Sequence, residues 1–195
     1  MRILAVSALL LASVASPAFA QESQDTQSER PFNGLYVGAV VGADSSSDGV
    51  DSAIGAIGGV TVGYDMNIGN AVVGLEGEAT MSSARQCEND TLVAGDELCS
   101  KPGRDLYAGV RIGLVDKGTT LIYLKGGYTN AEARSEYTGG AADVTTTETL
   151  DGVRAGLGVE SMLGSNLSIR GEVRYSNYEQ GIERYQGVMG LNFRF

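Results

Sequence analysis

The chain has 195 residues and not one histidine. Ser-His-Asp triads, His-Ser hydrolytic sites and imidazole-held metals are therefore outside its chemistry. Carboxylates, cations and two cysteines remain. Glu76 and Glu78 stand two residues apart, which on a β-strand puts both carboxylates on one face, as an acid/base pair requires. The same arrangement serves to hold facing Arg and Lys side chains, and that is the expected role. Asp44, Asp48 and Asp51 in "DSSSDGVDS" are spaced like a loose calcium loop. They lack the ligand rhythm and terminal glutamate of an EF-hand, so a flexible acidic loop is expected. Cys87 and Cys99 are too few for a structural zinc site. The residues point to no enzyme, no metal and no cofactor.

The elements that must position these groups are strands. Glu76, Glu78, Arg111, Lys125, Arg154, Glu160, Arg170, Glu172, Arg174 and Arg194 all alternate with apolar neighbours. That is the period of a strand with one oily and one polar face. Such alternation marks segments at 35–43, 59–66, 71–82, 105–115, 120–129, 150–162 and 167–175, and in the terminal "YQGVMGLNFRF". Between them lie two sorts of connection. Tight turns rich in Asn and Gly begin at residues 67 ("NIGN"), 116 ("DKGT") and 163 ("LGSN"). Longer polar stretches fill 44–53, 83–104, 131–149 and 177–184. No helical periodicity appears after the N-terminal segment. Eight strands with tight turns at one end and long loops at the other suit an antiparallel up-and-down β-barrel.

The N-terminus places that barrel outside the cytoplasm. Arg2, an apolar run through Ala15 and the "AFA" close at Ala18–Ala20 read as a secretory signal peptide over 1–20. A polar leader follows at 21–31, and the barrel domain occupies 32–195. Loss of Arg2 would leave a chain more acidic than the formal −10 of the whole, which offers nucleic acid no footprint. In an exported chain the even pair Cys87 and Cys99 is expected to form one disulfide.

Orientation decides the function class. A soluble ligand-carrying barrel turns its oily face inward, whereas a membrane barrel turns it to lipid. Aromatics cluster at both strand ends: Tyr64, Phe193 and Phe195 near the tight turns, and Tyr128, Tyr175 and Tyr185 near the loops. Two such girdles mark membrane interfaces. The ten charged residues can then cross-pair inside as a luminal network. The expectation is an eight-stranded transmembrane barrel, all-β, with outer-membrane lipid as its solvent.

"GLYVGAVVG" at 34–42, "VGYDMNIGNAVVGLEGE" at 62–78 and the final "GLNFRF" are similar to segments of the small Gram-negative outer-membrane β-barrel family. Within it they look closest to alphaproteobacterial porin-like and opacity-type proteins. The resemblance implies that Phe195, Phe193 and Leu191 form the signal read by the barrel-assembly machinery, and that the protein sits in the cell outer membrane. Because the chain stops at the barrel, the cell-wall tether of outer-membrane-protein-A relatives is not expected. The implied role is structural or interactive, with surface-exposed acidic loops serving envelope integrity or contact with a partner. A narrow porin-like channel and a soluble periplasmic carrier stand as alternatives.

Overall fold

A computed structural model describes residues 31–47, 52–84, 86–89, 97–138 and 144–195. The expected signal peptide and all but the last residue of the polar leader lie outside the described residues. Among the described residues nine strands form: β1 (Gly34–Ser47), β2 (Ser52–Ile68), β3 (Ala71–Ser82), β4 (Gln86–Asn89), β5 (Glu97–Asp116), β6 (Thr120–Thr138), β7 (Val144–Met162), β8 (Leu167–Tyr178) and β9 (Glu183–Arg194). They pair antiparallel in the order β3-β2-β1-β9-β8-β7-β6-β5-β4, and the sheet closes where β3 meets β5. The short β4 pairs only with β5, beyond the end of β3. The closed wall thus has eight strands, the third of them interrupted. Closure leaves no open edge within the wall, which is the only way a sheet satisfies its backbone in hydrocarbon.

Local chemistry sets the short turns. Lys117 and Gly118 take φ of +51° and +73°, consecutive left-handed residues that reverse the chain between the paired Asp116 and Thr120. At Gly63 and Gly158 the need is space: a Cβ there would run into the rings of Tyr36 and Tyr123.

Side-chain parity runs opposite to that of a soluble domain. Val60, Leu75, Leu157 and Val173 face outward, with Leu75 65 % exposed. Among the described residues the largest fully buried side chains include Arg111, Arg154, Arg170 and Arg194. Leaving so much apolar surface bare while enclosing four guanidiniums is stable only where the surroundings are lipid. This overturns the soluble-carrier alternative. Among the described residues no helix is long and apolar enough to cross a membrane; the strands do so.

Strands run further than the alternating pattern predicts. β1 continues to Ser47, β5 starts at Glu97, β6 reaches Thr138 and β7 starts at Val144. Much of the expected loops at 83–104 and 131–149 is paired sheet. Beyond the bilayer both faces of a strand are wet, so the oily period ends although the hydrogen-bond ladder does not. A β-bulge between Pro102 and Asp105 of β5 marks the rim, a usual place for such irregularities. One 3-10 turn, Glu179–Gly181, joins β8 to β9.

Candidate functional site

The polar parity converges in the barrel interior as three tiers. Nearest the tight turns, Asp65 and Glu160 face Arg111 and Arg194. Arg111 donates to both Asp65 oxygens, at 2.7 Å from Nε, and its Nη1 lies 2.9 Å from Glu160. Arg194 reaches Asp65 at 2.8 Å and Glu160 at 2.7 Å. Each acid therefore holds two guanidiniums and each guanidinium two acids. The hydroxyl of Ser168 and the amide of Asn192 also donate to Glu160, at 2.5 and 3.1 Å. Tyr36 lies beneath both cations, its ring centre 4.5 Å from the Arg111 guanidinium and 4.9 Å from that of Arg194.

In the middle tier Lys125 Nζ lies 2.7 Å from Glu76 and 2.8 Å from Glu172. Arg170 donates to Glu76 at 2.6 Å, and Arg174 grips Glu78 with two bonds of 2.5 and 2.6 Å while also pairing with Glu172. The phenols of Tyr36 and Tyr123 donate to Glu76 and Glu172, each at 2.7 Å. Glu76 and Glu78 are thus fully engaged by cations, which leaves neither poised as an acid or base.

The tier nearest the loops centres on Asp105. It accepts from Arg154 at 2.5 Å, Arg184 at 2.9 Å, Tyr178 at 2.9 Å and Thr129 at 2.8 Å. Arg184 also pairs with Asp44, which takes the Ser82 hydroxyl at 3.0 Å. The tiers touch through Arg111 and Glu76 at 3.9 Å, and through Arg154 and Glu78 at 3.7 Å.

Among the described residues the interior holds seven acids and seven bases, all buried. To the ten charges expected inside, the structure adds Asp44, Asp65, Asp105 and Arg184. Their signal was parity alone: Asp65 alternates with Tyr64 and Met66, and Asp105 stands two before Tyr107. Asp44 belongs to β1 and not to a flexible acidic loop, being 2 % exposed and tied to Arg184. Asp48 and Asp51 lie outside the described residues. Among the described residues no group of three or more Cys, Asp or Glu is arranged to hold a metal.

Apolar clusters close both ends of this column. Phe32, Val72, Leu121 and Tyr123 seal the tight-turn end, with Phe32 under the Arg194 guanidinium at 5.0 Å. Ala131, Leu150 and Tyr178 lie at the other, packed by Ala133 and Ile182. Outside, Tyr64, Phe193 and Phe195 are exposed at the tight-turn end, with Tyr128 and Tyr185 at the loop end. Tyr175 is half-buried against Tyr185, ring centres 5.1 Å apart. Leu191 faces outward, and the Phe195 amide bonds Leu35 at 3.0 Å. Cys87 and Cys99 are register partners joined by a disulfide, Cα–Cα 4.1 Å, in the β4–β5 hairpin beyond the rim.

The neutral interior consumes half of the 14 basic residues but under a third of the 24 acidic ones, so the whole formal −10 is carried elsewhere. Most of it falls, by sequence, in the segments that connect the strands opposite the tight turns. In the sequence, the stretches 45–54, 83–104, 131–151 and 177–183 hold four basic residues (Arg85, Lys101, Arg104 and Arg134) against more than three times as many Asp and Glu.

Comparison with known proteins agrees with this architecture. The sequence matches a family model described as the outer membrane protein beta-barrel domain over residues 6–195. No curated protein sequence matches it at a significant level. Among solved structures, Ail of Yersinia pestis, in complex with the heparin analogue sucrose octasulfate, superposes with a TM-score of 0.59 at 12 % identity. That alignment covers 84 % of this chain and 99 % of Ail. Neisserial surface protein A gives 0.56 at 17 % identity, covering 84 % and 98 %. Likeness at such identities concerns the fold.

Proposed function

The chain belongs to the outer-membrane protein β-barrel family, and from that premise we propose that it is a closed barrel which works through its outer hairpins and not through its lumen. One observation carries this reading: seven acids and seven bases pair off across the whole interior, between two apolar plugs. A barrel of eight strands has room for side chains and little else. Moving any of these ions aside to admit a solute would strand its partners in a dry interior, which is strongly unfavourable. The proposed roles are envelope integrity and contact with a surface partner. The tight turns, the start of β1 and the end of β9 face the periplasm, and the acidic hairpins face out.

Purified protein reconstituted in a planar bilayer is expected to give no stable channel. Ohmic conductance above the bare bilayer would instead establish the porin-like alternative. The final strand, with Phe195, Phe193 and Leu191 on its lipid side, is proposed as the segment bound by the barrel-assembly machinery. Deleting Phe195 should sharply reduce the heat-modifiable, membrane-inserted form in cells, and normal levels would remove that assignment.

The Ail structure holds sucrose octasulfate, a dense polyanion. The acidic loop end here disfavours such a ligand, so the surface contact proposed is with a neutral or cationic partner.

A further inference from the structure

The walls of this barrel end at different heights. β7 pairs with β6 out to Val144 opposite Tyr137. Its ladder with β8 stops at Gly152 opposite Tyr178. Among the described residues, Val144–Asp151 therefore pair with β6 alone, and no strand ladders with their other side. At the usual rise this open edge is roughly 26 Å long.

Natural proteins blunt such edges with proline, lysine, bulges or a covering segment. The sequence "VTTTETLD" carries no proline and no lysine, its ladder with β6 runs without a register shift, and Thr145–Thr149 are all exposed. Threonine and valine hold an extended backbone well. The root is anchored, because Leu150 is buried with Tyr178 and Ala131 and packed by Ile182. The edge is thus already in the conformation that a docking strand needs, which lowers the ordering penalty of association.

We propose that the Val144–Asp151 edge of β7 is a docking strand that takes an extended, basic segment of another protein by β-addition. The inference deepens the surface-contact reading above and rests on it. A row of alternating N–H and C=O groups is matched in spacing by another extended polypeptide. Charge selects the occupant. Glu148 and Asp151 lie on the edge itself, and among the described residues Asp151 is bonded by the neutral Tyr128 and Asn130, at 2.5 and 2.6 Å. Glu132 of β6 sits opposite Thr149 and already holds Arg104 at 2.6 Å, an ion pair between the outer hairpins. A second copy of the same strand would set these carboxylates near their own kind, which is unfavourable across a ladder.

The test uses the full mature chain in zwitterionic nanodiscs and three fluorescent decapeptides. One alternates Lys and Val, one alternates Glu and Val, and one is the Lys peptide N-methylated at every second amide. The Lys peptide should bind and slow amide exchange at 144–151. The N-methylated peptide should bind at least about tenfold more weakly, since each lost backbone bond weakens binding severalfold. The Glu peptide should do the same, because its carboxylates meet Glu148 and Asp151. Equal binding of the N-methylated peptide would reduce the contact to charge alone and overturn the proposal. Absence of binding by the Lys peptide, or protection confined to other strands, would also overturn it. Thr146→Pro and Thr147→Pro add a second arm, because adjacent residues point their amides to opposite sides. One of the two removes a donor from the open edge without touching the β6 ladder, and it should lower binding about tenfold with the barrel still heat-modifiable. Unchanged binding in both would overturn the assignment. Labelling of Thr147→Cys on intact cells with an impermeant maleimide separates the two levels. A residue that stays unlabelled sinks the surface reading itself, whereas labelling without peptide binding sinks the edge alone.

Discussion

β7 passes through two regimes within one strand. From Gly152 to Met162 it is walled by β6 and β8, with Arg154 and Glu160 locked into the interior and Leu157 facing lipid. From Val144 to Asp151 it has β6 alone, and Thr145 to Thr149 are all exposed whichever way they point. In the first stretch every second position has one environment it tolerates. In the second, neither face is committed between Thr145 and Thr149, and Leu150 at the root is buried. Removing a residue from the wall should therefore disturb the whole molecule, and removing one from the hairpin only its neighbours.

The largest effect is expected inside. Glu76→Leu takes the carboxylate from between Lys125 and Arg170 and from the Tyr36 hydroxyl. Breaking a buried ion cluster by deleting one partner costs about 3–5 kcal/mol, since the remaining charges are left without compensation. Guanidinium titration in detergent, followed by heat-modifiable migration, should show a drop of that order. A loss under about 1 kcal/mol, the value of an exposed pair, would mean that water enters the lumen and that the column is not a plug.

Next comes the lipid face, where one substitution can be placed in both regimes of one strand. Leu157→Arg, midway along the walled part of β7, should destabilise by about 2–4 kcal/mol in a bilayer. Thr147→Arg should change stability by no more than about 0.5 kcal/mol, as at ordinary surface positions. Equal effects would show that the bilayer boundary does not fall where the β8 ladder ends.

The same boundary explains what could be read from the residues alone. Val73, Leu75, Ala79 and Met81 against Glu76, Glu78 and Thr80 announce a strand because lipid and lumen demand opposite chemistries. The order of the walls and the tight turns follows from that pattern. Asp65 and Asp105 obeyed the same rule but sit at the strand margins, where a lone acid looks like the start of a loop. Asp44 was hidden for another reason: it opens the acidic run "DSSSD", and only the closure of β1 on β9 brings Arg184 to it. Tyr36 and Tyr123 carry no charge to mark them in the sequence, yet they share the polar parity and act as hydrogen-bond donors to luminal carboxylates. The sheet beyond the rim left no period to read. Ser, Thr and Glu with both faces in water are compatible with a loop, and pairing to a neighbouring hairpin decided otherwise.

The smallest global effect should come from the Cys87–Cys99 bridge. A disulfide closing a loop of this size is worth about 3 kcal/mol in the chain-entropy view, but only to the unit that unfolds together with the loop. Here the bridge ties β4 to β5 beyond the bulge at Pro102–Asp105, on the far side of the rim from every ion pair in the lumen. If the hairpins open apart from the wall, as low-stability segments do, reduction should speed amide exchange at 86–89 and 97–100. The guanidinium midpoint of the barrel should not move, and neither should exchange at Ile112 or Leu157. A midpoint that falls on reduction would join hairpin and wall into one cooperative unit. The contrast along β7 would then be one of environment only, not of stability.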